Sequence, residues 1–265
     1  MASEFQLKRD IIEVGRRIYN SGFVAANDGN ISIRVNDNLI LTTPTGVSKG
    51  FMTPDMIVTC NMDGKVLSGN WRPSSELKMH LAVYRARDDI KSVVHAHPPY
   101  ATAFAVAGFA LEKPIIPEVV ISLGWVPLTQ YGTPSTEEIP DAILPYLPCH
   151  DAFLLQSHGA LTVGTDPYNA LFKMETLEMG AKISLLARLM GGEQEISPEN
   201  VDRLMEVRRS MGMTGSHPAF CDAPSAGGHR QSVPATSNNS IDEAQLKQIV
   251  TQVVKQVLAE QRQRS

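Results

Sequence analysis

Apolar residues recur every three to four positions between Glu4 and Asn20, where Leu7, Ile11, Val14 and Ile18 share one side and Gly22 follows as a stop. The spacing predicts an amphipathic opening helix. The period then falls to two: Ile31, Ile33 and Val35 alternate with Ser32 and Arg34, the turn Asn36-Asp37-Asn38 intervenes, and Leu39-Ile40-Leu41-Thr42 resumes. This is a β-hairpin entered through the turn residues Asn27-Asp28-Gly29-Asn30. A second hairpin is expected from Ile57 to Cys60 and Lys65 to Leu67, around Asp63-Gly64. Helical spacing returns at Leu77, His80, Leu81 and Tyr84. Pro73-Ser74-Ser75-Glu76 opens that helix, Ser74 or Ser75 is its natural cap, and it runs to about Arg87.

Further along, Pro99 to Val106 reads as a short helix ended by Gly108, and Ile115 to Ile121 and Val126 to Leu128 read as strands. A helix over Thr136 to Leu144 precedes a strand over Ala152 to Gln156 and an extended stretch at Leu161-Thr162-Val163-Gly164. From Pro167 to Met190 a long helix carries Ala170, Leu171, Met174, Leu177, Ala181 and Leu185 and stops at Gly191-Gly192; another follows between Pro198 and Met211. Hairpins come early, helices interrupt irregularly, and neither a Gly-x-Gly-x-x-Gly nor a Walker loop is present. The pattern predicts an α/β fold with a mainly antiparallel sheet covered by helices, not a Rossmann arrangement.

After residue 220 the character changes. Residues 221–240 hold Pro224, Pro234, Gly227, Gly228 and many Ser, Ala and Asn residues, which is linker composition. Order returns over 241–265: Ser240-Ile241-Asp242-Glu243 matches a capping box, and Leu246, Ile249, Val250, Val253, Val254 and Val257 follow at helical spacing with glutamines and Lys255 opposite. A helix under ~20 residues is marginal alone in water, so this stripe requires a partner. The chain thus divides into a domain over 1–220, a linker and a helical tail.

Composition narrows the function classes. A net charge of −4 with mixed signs gives no polybasic footprint, so neither a nucleic acid nor an anionic membrane is expected as partner. The start, Met1-Ala2-Ser3-Glu4-Phe5, lacks a signal pattern and no apolar run approaches membrane-spanning length, which predicts a cytoplasmic protein. Cys60, Cys149 and Cys221 are odd in number, far apart and without Cys-x-x-Cys, so neither a disulfide framework nor a thiolate zinc site is supported, and a reducing compartment is expected.

The chemistry is concentrated at Val93-Val94-His95-Ala96-His97-Pro98-Pro99. Alternate strand residues share a face, so His95 and His97 project together. A His-x-His pair alone is most often ordinary packing. A third histidine, His158 in Gln156-Ser157-His158-Gly159, again follows an apolar run directly, and with the acid Glu76 these residues suit a catalytic zinc site that keeps one position open. Thr43-Pro44-Thr45-Gly46-Val47-Ser48-Lys49-Gly50 is rich in small donors, and such a loop, like the first turn of a helix after Ser74-Ser75, can hold a phosphate. His80, four residues beyond Glu76, is assigned to packing or to support of the site.

In order and spacing, Asn27-Asp28-Gly29-Asn30-Ile31-Ser32, Thr43-Pro44-Thr45-Gly46, Pro73-Ser74-Ser75-Glu76, His95-Ala96-His97 and His158-Gly159 resemble the class II aldolase/adducin head family, and within it the bacterial L-fuculose-1-phosphate aldolases. The resemblance implies a three-layer α/β fold with helices on both faces of the sheet. It also implies a homotetramer with sites between subunits and one Zn2+ per subunit on His95, His97 and His158. The phosphate of a 1-phosphoketose would be held by Asn30, Thr45, Gly46, Ser74 and Ser75, with Glu76 as catalytic acid/base. The implied reaction is cleavage of L-fuculose 1-phosphate, or L-rhamnulose 1-phosphate, to dihydroxyacetone phosphate and L-lactaldehyde. Family aldolases use a tyrosine as proton relay to the aldehyde; Glu118 stands near that position here, and Tyr131 or Tyr100 are alternatives. Family epimerases have Asp where this chain has Glu76, dehydratases of methylthioribulose phosphate remain an alternative, and adducin-like interaction modules lack the complete metal set. Linker plus terminal helix resembles the encapsulation peptides that carry enzymes into bacterial microcompartments, which implies a shell protein as partner and the compartment lumen as location.

Overall fold

The structure is a computed structural model and describes residues 3–213 and 215–221. The expected linker beyond Cys221 and the expected tail helix, with Leu246, Ile249, Val250, Val253, Val254 and Val257, lie outside the described residues. Helix α1 (Glu4–Asn20) forms where the spacing predicts it, with the Ser3 hydroxyl accepting the Gln6 N–H and Ile11, Val14 and Ile18 buried. Strands β1 (Asn30–Asn36), β2 (Leu39–Thr42), β3 (Val58–Cys60) and β4 (Val66–Ser68) follow, then α2 (Leu77–Ala86), β5 (Ser92–Ala96) and α3 (Pro99–Ala107). The chain continues through α4 (Pro117–Ser122), β6 (Leu128–Thr129), α5 (Glu138–Ile143), β7 (Ala152–Leu155), β8 (Gly159–Gly164), α6 (Pro167–Leu189) and α7 (Pro198–Ser210).

The eight strands make one sheet in the order β4-β3-β2-β1-β5-β8-β7-β6, antiparallel throughout except for the parallel β6–β7 pair. Alternation of side chains splits the core in two. One face packs Ile31, Val94 and Ala160 against α1, α3 and α6; the other packs Val93, Phe153 and Val163 against α2 and α5. This is the three-layer α/β arrangement with helices on both faces. His95 is in phase with Val93 and so belongs to the α2 side, in the middle of the sheet. The β5 strand lies between β1 and β8, and its register pairs His95 with Asn30 on one side and with Leu161 on the other. No helix among the described residues is long and apolar enough to cross a membrane.

Three local expectations are corrected. Ile115 to Ile121 is not a strand: the chain is extended at Ile116, and Pro117 then opens α4 with Glu118 in its first turn. A Cβ added at Gly180 of α6 would lie 2.9 Å from Val119 Cγ2, so the closeness of α6 lets Val119 pack as a helical residue. Tertiary packing here overrides the β-propensity of Val and Ile. Helix α2 begins one residue after Glu76, and neither Ser74 nor Ser75 caps it; instead the Ser74 hydroxyl accepts the Glu76 N–H at 3.2 Å. Finally, Cys149 and Cys221 are disulfide-bonded across 72 residues, where no pairing is legible from their spacing. Hydrogen bonds from Ser216 to the Pro148 carbonyl and between His217 and the Val120 carbonyl bring that segment alongside. Cys60 is free and buried, and burial pushes its thiol up to about 11.

Candidate active site

His95, His97 and His158 converge, with ring centroids 4.6 to 5.2 Å apart and one nitrogen of each within 4.8 Å of the others. Main chain places each of the three residues, and in His95 it also aims the ring. His95 Nδ1 donates to the Ala160 carbonyl at 2.9 Å, and because a carbonyl only accepts, the free lone pair is on Nε2. The His97 backbone N–H donates to the Phe23 carbonyl at 2.8 Å, and the Asp28 carboxylate lies 3.7 Å from the ring Nδ1. His158 leaves the β7–β8 turn through Ser157, which is left-handed at φ 56° although it is not glycine. The glycine that follows allows close approach: a Cβ at Gly159 would sit 2.6 Å from both the Ala96 carbonyl and the His97 ring.

Glu76 completes the cluster. Its Oε2 is 3.4 Å from His95 Nε2 and its Oε1 is 3.3 Å from His158 Nε2, while Asn30 Nδ2 donates to Oε2 at 2.8 Å. Burial first, and then the neighbouring His158, hold both His95 and His97 below the ordinary imidazole range, which keeps them in the neutral, metal-binding form. Glu76 Oε1 is buried without a hydrogen-bond donor. The bare His95 Nε2 and both Glu76 carboxylate oxygens are thus crowded together as acceptors, an arrangement that a cation relieves. Three nitrogens and one oxygen suit a first-row divalent metal.

A cleft of about 200 Å³ opens beside this cluster. Of the residues anticipated from the sequence, Asn30, Thr45, Ser74, Ser75, Glu76, His97 and His158 line it, with the fully buried His95 next to them. Gly46 follows Thr45 in the same loop, left-handed at φ 74°. Two polar loops meet here because their backbones pair: Thr45 N–H donates to the Arg72 carbonyl and Ser74 N–H to the Thr43 carbonyl, both at 3.0 Å. Glu118 and Tyr131 do not join them. Glu118 is exposed on α4 and Tyr131 is 56 % exposed, and neither lines the cleft.

Asp28, Lys49 and Pro134 also line the cleft, and none has a role assigned from sequence. Lys49 is 1 % exposed, and its ammonium donates to the carbonyls of Asn27 at 2.8 Å and Val47 at 2.7 Å, tying two cleft loops together. Burial pulls it down to about 8, against the opposing pull of Asp28. Both Asp28 and Lys49 stand inside motifs that sequence reading isolates, yet nothing in a loop sequence distinguishes a buried amine from a solvated one.

A histidine and carboxylate cluster of this kind, at the strand ends of a helix-covered sheet and opening on a polar cleft, belongs to a metal-dependent enzyme. The chain is a member of the class II aldolase and adducin N-terminal domain family, whose model matches residues 9–185. It is 34 % identical over 177 residues to an L-fuculose phosphate aldolase of Methanococcus maripaludis, covering 67 % of this chain and 95 % of that one. It is 33 % identical over 181 residues to a 3-oxo-tetronate 4-phosphate decarboxylase of Haemophilus influenzae, covering 66 % and 85 %. A solved L-fuculose 1-phosphate aldolase superposes with a TM-score of 0.73 at 29 % identity, over 79 % of this chain and 98 % of that structure.

Proposed function

We propose that this enzyme cleaves a 1-phosphoketose, L-fuculose 1-phosphate first and L-rhamnulose 1-phosphate as its epimeric alternative, to dihydroxyacetone phosphate and L-lactaldehyde. The observation that carries this reading is the place of Glu76, within 3.4 Å of two metal-ligand nitrogens and hydrogen-bonded to a residue of the polar cleft. A divalent ion on His95, His97 and His158, zinc in this reading, supplies Lewis acidity toward the keto oxygen when bound. Asn30, Thr45, Gly46, Ser74 and Ser75 grip the phosphate and so fix the carbon chain against Glu76. The C3–C4 bond breaks, its electron pair stays on C3, and Glu76 delivers a proton there. The C4 hydroxyl loses its proton as the aldehyde forms. Glu118 and Tyr131 do not line the cleft of their own protomer; in this reading a homotetramer with sites between subunits supplies the group that receives that proton, with Tyr100 as the alternative.

The test is a coupled assay of metal-replete protein with L-fuculose 1-phosphate, beside a chelated sample and a Glu76→Gln variant. Both products should form, and both controls should lose them, with the variant about 10²–10⁴-fold slower in kcat while keeping its metal. Absence of cleavage by metal-loaded protein sinks the substrate assignment. The decarboxylase relative supports a second reading, since loss of carbon dioxide from a 3-oxo acid leaves electrons on the same kind of carbon; release of carbon dioxide from 3-oxo-tetronate 4-phosphate would favour it.

The sequence pattern of residues 221–265 supports confinement in a microcompartment, which suits a reaction that releases a reactive aldehyde. Deletion of residues 222–265 should leave oligomer and activity intact and abolish co-sedimentation with shell proteins. Dissociation or unfolding of the truncated chain would make the tail structural.

A further inference from the structure

Behind Glu76 runs a line of buried polar groups of which the reaction above uses only the first, Asn30. Asn30 Oδ1 lies 2.5 Å from His80 Nε2, His80 Nδ1 lies 2.6 Å from Ser32 Oγ, and Ser32 Oγ lies 2.7 Å from the Tyr84 hydroxyl. All four residues are at most 2 % exposed. Asn30 and Ser32 share a face of β1, and His80 and Tyr84 stand one turn apart on α2, so the two elements zip together through these groups.

The direction of every hydrogen follows from the carboxylate end. A carboxylate only accepts, so the Asn30 NH2 faces Glu76 and its Oδ1 faces His80. Oδ1 only accepts as well, so His80 Nε2 carries the ring hydrogen. Burial pushes this imidazole down to about 3, hence it is neutral and Nδ1 is bare. Nδ1 accepts from Ser32, and the Ser32 oxygen accepts from Tyr84. Each hydrogen in the chain points toward Glu76.

We propose that His80 is a positioning residue, which through the Tyr84–Ser32–His80 chain holds the Asn30 amide with its NH2 toward Glu76 and the cleft. This rests on the reading of Glu76 as the acid/base and of Asn30 as a phosphate ligand. The two ends of an amide have nearly the same shape, so packing cannot select between them; hydrogen bonding must. A flipped Asn30 would set its oxygen against the Glu76 carboxylate and against an anion in the cleft, and its NH2 against the His80 N–H. One imidazole N–H thereby orients the single residue that serves both the acid/base and the phosphate.

The test uses the full-length, metal-loaded protein labelled with 15N-histidine, the His80 signals being assigned by their loss in His80→Gln. The ring should be neutral and Nε2-protonated from pH 8 to 5.5; an Nδ1-protonated ring, or titration inside that interval, overturns the chain. This arm depends on no substrate, so it stands apart from any failure of the aldolase assignment. In the second arm His80→Leu, which removes the donor, should lower kcat about 10–100-fold and weaken binding of inorganic phosphate by calorimetry, with metal content retained, while His80→Gln recovers part of both. A folded His80→Leu protein with unchanged kcat and phosphate affinity, altered only in melting temperature, would make His80 a packing residue and overturn the proposal.

Discussion

Lys49 is the side chain whose position was least readable beforehand and whose removal has the clearest consequence. Its ammonium satisfies two carbonyls from different loops, so Lys49→Met leaves both without their donor and should cost roughly 1–3 kcal/mol per carbonyl left buried and unpaired. Because those loops wall the cleft, KM should rise more than kcat falls, as steady-state kinetics beside a thermal melt would show. The histidine cluster was legible for a different reason. Imidazoles placed after apolar runs announce their chemistry by residue type, and the structure brings His95, His97 and His158 together. The proton relay was not legible. Glu118 and Tyr131 do not line the cleft, and a place along the chain does not say whether a side chain reaches one.

Among the elements, the two early hairpins and the long α6 followed directly from period and turn chemistry, whereas α4 did not. Its Val119-Val120-Ile121 run has the composition of a strand, and contact with α6 decides otherwise. The β7–β8 turn offers a sharper lesson. Ser157 holds a left-handed backbone immediately before His158 of the histidine cluster, a conformation that costs a non-glycine residue ~1–2 kcal/mol. Ser157→Gly should therefore keep or slightly raise stability in a denaturant titration, with metal retained. Ser157→Val should lower stability by ~1–3 kcal/mol and displace His158, so that metal content measured on the purified protein falls with it.

For the molecule as a whole, buried neutral histidines set the acid limit. Burial holds His80 at about 3 and His217 at about 4, both below the 6.5 of an exposed imidazole. The unfolded chain therefore binds protons that the native state refuses once pH drops below 6.5, and native stability declines from there toward pH 4. Moving from pH 7.5 to pH 5 should lower the melting temperature by roughly 8–16 °C from these two groups together. Replacing His217 by Gln should flatten that decline, as melts across the interval would reveal. Sheet order was the part of the fold hidden from the sequence, because pairing β5 between β1 and β8 joins stretches that local periodicity treats as unrelated.

That pairing has a further consequence. Asn30 and His95 are opposite one another across a pair of hydrogen-bonded backbones, so the offset between the polar cleft and the histidine cluster is measured out by the pleat of the sheet. A slip of one residue would turn Asn30 to the far face, and a slip of two would carry it about 6.6 Å along the strand. Side-chain replacements can alter what each end of the site holds. The ruler between the ends is written in main chain, beyond the reach of any single side-chain change.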